Sequence, residues 1–164
     1  AQEGRLGRAQ RLFDVAMEKY SRHSPEEAHE LPPVLMLAYW EFLIASGDLH
    51  RFEESLGRSR EGLLSIPFVH QIGSVPRLAA QAALARWRLQ PSARQLDLAA
   101  KESREACLQS ESNGWRLFHR DNLVTRAETL ALMGKRKSAT SLLEQALEIS
   151  HALRLEGNKS LSEH

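Results

Sequence analysis

DNLVTRAETLALMGKRKSATSLLEQALEIS, residues 121–150, is the stretch that decides the fold. Leu123, Val124, Ala127, Leu130 and Ala131 recur at three- and four-residue spacing, which places them on one face of a helix. Ala139, Leu142, Leu143, Ala146 and Leu147 form a second stripe of the same period. Gly134-Lys135 stands between the stripes, where a glycine can end one helix and let the chain reverse. The reading is a pair of antiparallel helices. Ala139 and Ala146 are small enough to let the partner helix approach closely, and Leu143 between them is expected to fill the groove.

The rest of the chain carries the same period. Leu12, Phe13, Ala16, Met17 and Tyr20 form one stripe; Met36, Leu37, Trp40, Leu43 and Ile44 another; Leu78, Ala79, Ala82, Ala85 and Leu89 a third. Leu96, Ala99, Ala100, Ser103, Ala106 and Cys107 make a narrower stripe of mostly small residues. No run of four or more residues alternates strictly with β-branched or aromatic weight, so strands are not indicated. The fold class is all-α, with about seven helices. Gly47-Asp48 and Gln90-Pro91-Ser92 mark further reversals, and Ser24-Pro25-Glu26-Glu27 caps a short helical turn that Pro32-Pro33 ends. Ser65 to Pro76 reads as a packed connector broken by Pro67, Gly73 and Pro76. Ser110 to Gly114 reads as a polar loop, and residues 156–164 as a polar, frayed tail. The stripe already running at Leu6 behind Ala1 suggests a segment of a longer protein.

Self-similarity organises these stripes. Gly4, Ala9, Phe13 and Ala16 are spaced as Gly134, Ala139, Leu143 and Ala146 are. Gly47, Phe52, Leu56 and Ser59 follow in degraded form, and Ala99, Ser103 and Ala106 keep the last three slots. Counted from Ala9, Phe52, Ala99 and Ala139, the copies lie 43, 47 and 40 residues apart. Residues 121–150 resemble the tetratricopeptide repeat family, with Leu123, Ala127, Leu130, Gly134, Ala139, Leu143, Ala146 and Leu147 in its slots. The middle copies depart from it: Trp40 stands where the family prefers a small residue, Arg94 replaces the turn glycine, and the copies exceed the usual 34 residues. The resemblance implies a right-handed α-solenoid of antiparallel hairpins over residues 1–155, about 3.5 repeats in one domain. A plain helical bundle is the competing architecture.

Composition removes several functions. Lys+Arg number 22 against 21 Asp+Glu, so no net field draws nucleic acid or anionic lipid, and neither partner is expected. No apolar run nears the ~20 residues a membrane helix needs. A single Cys107 excludes an internal disulfide framework and suits a reducing, intracellular compartment, cytoplasmic or nuclear. His23, Glu26, Glu27, His29 and Glu30 lack a metal-ligand spacing and read as a solvated, capped turn. His119-Arg120-Asp121 has no accompanying phosphate loop, and Cys107 has no His or Lys within a helical turn to activate it. The basic clusters Arg5-Arg8-Arg11, Arg58-Arg60, Arg86-Arg88 and Lys135-Arg136-Lys137 interleave with carboxylates and read as solvated faces. No catalytic constellation and no cofactor site are indicated.

What is left is recognition of another protein. Of the three tryptophans, Trp40 belongs to a core stripe, Trp87 lies between arginines, and Trp115 after the polar loop is the best placed for a contact. The resemblance implies a concave surface lined by Leu37, Glu41 and Ile44, by Gln81 and Arg88, and by Asp121, Val124 and Glu128. Family members that grip a C-terminal carboxylate place Lys and Asn where this chain has Leu37 and Val124, Glu41 and Glu128, so a carboxylate clamp is not expected. Apolar contact edged by carboxylates suits a helical or basic-apolar segment. A regulatory repeat domain of a larger transcription activator or signalling ATPase is the alternative. Self-association is expected through the first helix, whose stripe Leu6, Ala9, Leu12, Phe13 and Ala16 lacks a leading helix.

Overall fold

The computed structural model describes residues 7, 11, 12, 14, 15, 33–64 and 74–162, with side chains over 36–58 and 75–154 as well as the five N-terminal positions. Among the described residues six helices are delimited in order: α1 Pro33–Ser46, α2 Leu49–Leu64, α3 Ser74–Leu89, α4 Ala93–Ser112, α5 Arg116–Leu132 and α6 Arg136–Ser162. Among the described residues there is no strand, so the all-α class holds. Gly7, Arg11, Leu12, Asp14 and Val15 are also helical, and Leu12 is 64% exposed. The rest of that first stripe, Ser24–Glu27, the candidate cluster His23–Glu30 and most of the connector lie outside the described residues.

The chain divides into two compact units, residues 1–67 and 68–164. In the first, α1 and α2 form a hairpin. α1 is apolar nearly all round (PVLMLAYWEFLIAS), the composition of a helix with neighbours on more than one side. Trp40 is fully buried and meets the edge of Phe52 with ring centroids 5.9 Å apart. Its indole N–H, which burial obliges to find an acceptor, donates to Ser55 Oγ at 2.8 Å. A large residue thus takes the slot where the resembled family has a small one.

In the second unit each helix from α3 to α6 packs on the next, and α3 also touches α5. The interior is built from small side chains. Ala79, Ala80, Ala82 and Ala83 of α3, Ala99, Ser103, Ala106, Cys107 and Ser110 of α4, and Ala139 and Ala146 of α6 are all buried. Ala83 and Leu84 cluster with Ala99 across the α3–α4 pair. Cys107, Leu123 and Ala146 cluster where α4, α5 and α6 meet, with Leu142 and Ile149 against them. The larger residues of this core therefore sit in grooves left by alanine, serine and cysteine.

Four details differ from the sequence reading. Leu143 does not fill the groove between Ala139 and Ala146 but is 44% exposed, because the buried line of α6 runs through Ala139, Leu142, Ala146 and Ile149. Ser110 to Ser112 belong to α4, so the polar loop shrinks to Asn113-Gly114-Trp115; Ser110 is fully buried, its hydroxyl within reach of the carbonyls of Ala106 and Cys107. Pro33 and Pro76 stand in the first turns of α1 and α3, where a missing N–H costs no helical bond. α6 also runs on to Ser162 through the segment expected to fray.

The same device closes three helices. Gly47, Gly114 and Gly134 have φ of +80°, +68° and +77°. Each donates its N–H to the carbonyl three residues back, and the following residue donates to the carbonyl five back: Asp48 to Leu43, Trp115 to Ser110, Lys135 to Leu130. After the first turn Asp48 caps α2, its Oδ1 accepting from the Arg51 N–H at 3.3 Å. Nothing lies within 4 Å of where a Cβ would stand on Gly134 or on helical Gly57. Gly134→Ala should therefore destabilise by about 1–2 kcal/mol through backbone strain alone. Gly57→Ala should stabilise by about 0.5–1 kcal/mol. Chemical denaturation reads both, and equal shifts of one sign would contradict the turn assignment.

Candidate protein-binding face

α3 and α5 touch in the second unit, and of the described side chains of α3 only Arg88 and Leu89, at its C-terminal end, are exposed. On α5, Leu117, Asp121, Val124 and Glu128 follow four-, three- and four-residue steps along one stripe. Leu117 and Val124 are exposed at 51% and 46%, unlike Leu123 and Ala127, which are turned into the core. On α3, Gln81 and Arg88 are two turns apart. The Arg88 guanidinium binds the Glu128 carboxylate, so the two predicted sets meet in an ion pair across the helices. Asp121 accepts from Arg120, Nε to Oδ1 at 2.8 Å.

These pairs alter the expected chemistry. The sequence suggests an apolar groove edged by carboxylates, whereas both carboxylates on this face are engaged by arginine. The Arg88 and Glu128 side chains remain 56% and 44% exposed, a setting in which an ion pair contributes about 0–1 kcal/mol. The carboxylates of this stripe are thus close to neutralised, by pairs that cost little to break. Leu117 and Arg120 belong to the face but were not singled out by sequence reasoning; the step of four from Leu117 to Asp121 was the available signal.

The other expected positions fall elsewhere. Leu37, Glu41 and Ile44 share a face of α1 in the first unit, with Leu37 and Ile44 half-buried and Glu41 exposed. Trp115 is half-buried at the turn before α5, where its ring meets the edge of Phe118 at 6.5 Å. It is set at the helix end and not along the Asp121–Val124–Glu128 stripe. Trp87 is half-buried.

Behind the face lies a polar seam that sequence reasoning also missed. Asn122, fully buried, donates from Nδ2 to the Ala106 carbonyl at 2.8 Å and to Ser110 Oγ at 3.0 Å. His119 Nδ1 is 2.9 Å from the same hydroxyl. A serine has one proton and two lone pairs, so with its proton on the Ala106 carbonyl it can accept from both neighbours. His119 is thereby absorbed into helix packing, and His119-Arg120-Asp121 is a stretch of α5. Among the described residues no cluster of His, Cys, Asp and Glu could hold a metal ion, and no helix is long and apolar enough to cross a membrane.

Cys107 is buried between α4 and α5, and its thiol is pushed up from 9.0 to about 11. Desolvation is the main cause; Arg126 beside it pulls the other way, both by charge and by hydrogen bonding, without prevailing. The sequence shows no His or Lys within a turn of Cys107, and the cation that acts on the thiol, Arg126, comes from α5.

No family model matches the chain, and no curated protein and no solved structure matches it either.

At pH 8 a thiol of pKa near 11 is ionised in roughly one molecule in a thousand. Cys107 should accordingly react with Ellman's reagent far more slowly in the native protein than in denaturant. Equal rates would show that the α4–α5 contact is open.

Proposed function

We propose that the second unit is a non-catalytic, tetratricopeptide-like helical module of a right-handed α-solenoid type, and that its α3/α5 face binds an amphipathic helical segment of another protein. The observation that carries this reading is the exposed stripe of α5, with Leu117 and Val124 on the same face as Glu128, which pairs with Arg88 of α3. Two exposed apolar side chains two turns apart on one helix match the spacing at which an amphipathic helix presents its own anchors. The neutral, exchangeable rim sets orientation more than affinity. Leu37, Glu41 and Ile44 offer a comparable face on α1, and they extend the same reading to the first unit as a second contact of the same kind.

Val124→Lys tests the reading, because the side chain is exposed and its replacement leaves the core untouched. The probe is a fluorescent leucine–lysine amphipathic helix, and the readout is anisotropy, with circular dichroism as the check on folding. Binding by the parent chain that weakens at least tenfold in the variant is expected. No binding by the parent, or equal binding by both, would overturn the proposal.

A further inference from the structure

We propose that the open side of α6 seats a helix from a second protein, one with small apolar residues at its centre and carboxylates at both ends. The inference does not depend on the α3/α5 face. It starts from the 40-residue offset that places Ala99 and Ala106 of α4 on Ala139 and Ala146 of α6. At the same offset Ser103 falls on Leu143, and Cys107 on Leu147. On α4 these positions are buried: Ser103 is 1% exposed, and Cys107 is packed with Leu123 and Ala146 of the following hairpin. On α6 the equivalent leucines are 44% and 60% exposed. α6 therefore continues, one hairpin later, a surface that already serves as a helix–helix interface inside this unit.

Size and charge define what fits. α4 offers small residues and receives Leu123, whereas α6 projects two leucines, so the guest must be small where α5 is large. Arg136 lies seven residues before Leu143, and Arg154 seven after Leu147, which puts both near the leucine stripe, with Thr140 and His151 also on it. All of these side chains are exposed. The two arginines are about 27 Å apart along the helix. Glu144 and Glu148, both exposed, flank the leucines on the side where His151 lies, so acidic groups of the guest belong at its ends and not beside the leucines. A second copy of α6 laid antiparallel about the leucines brings Arg136 against Arg154 at each end, and a parallel copy pairs each arginine with itself. Like charges so placed oppose self-pairing and favour acidic ends on the guest.

The test uses the full chain and a designed fluorescent helix of about 20 residues, with a central alanine seam and glutamates in its first and last turns. A twin peptide carries lysines in place of the glutamates. The glutamate peptide should bind at least tenfold more tightly than its twin. Leu147→Asp, at an exposed position, should remove that binding while circular dichroism stays unchanged, and Val124→Lys should leave it intact. Loss of binding in Val124→Lys would place the peptide on the α3/α5 face and overturn the proposal. Equal binding of the twins, or indifference to Leu147→Asp, would overturn it as well. A dimer in sedimentation velocity that Leu147→Asp dissociates would make a second copy the occupant and contradict the charge argument.

Discussion

Asn122 reaches the backbone of the neighbouring helix, and this contact states the constraint under which the second unit is built. Its Nδ2 lies 2.8 Å from the Ala106 carbonyl, a distance that a short side chain covers only if α5 sits close against α4. That approach requires the facing residues of α4 to be small. Ala106, Cys107 and Ser110 meet the requirement in succession, and each is buried. The raised thiol of Cys107 and the Ser110–His119–Asn122 seam follow from the same closeness: groups brought together without water must be hydrogen-bonded or uncharged.

An interior in which alanine, serine, threonine and cysteine recur around Leu78, Leu84 and Leu123 still leaves large apolar residues on the surface. Leu117, Val124, Leu143 and Leu147 all lie at helical spacing and yet face outward. Scattered exposed leucines are ordinary on any protein. Here they form pairs on defined stripes, Leu117 with Val124 and Leu143 with Leu147, and each pair stands beside charged groups that set the preference for a guest. The outward surface is where recognition is proposed, and the closely packed interior is what holds those stripes in place.

The small-residue stripe of α4, the reversals at Gly47 and Gly134, and the burial of Trp40, Ala139 and Ala146 were readable from period and punctuation, because each depends on local chemistry. The division near Pro67 was not readable, since it depends on which helices pack together. Leu143 was misplaced for a related reason. In a stripe containing both Leu142 and Leu143, spacing alone cannot say which leucine faces the partner, and the choice falls to the angle at which α6 crosses α5. Asp121 and Glu128 stand seven residues apart on α5, and their pairing with Arg120 and Arg88 needed three dimensions. Arg88 and Glu128 are 40 residues apart in sequence.

The central claim is that α4 must be small where α5 crosses it. The most direct measurement is the change in unfolding free energy for Ala106→Leu, set against Ala131→Leu, whose site on α5 is exposed. Alanine and leucine have similar helix propensity, so the difference isolates packing. The account predicts a loss of about 1–3 kcal/mol for Ala106→Leu and a change within about 0.5 kcal/mol for the control. Equal stabilities of the two variants would contradict it.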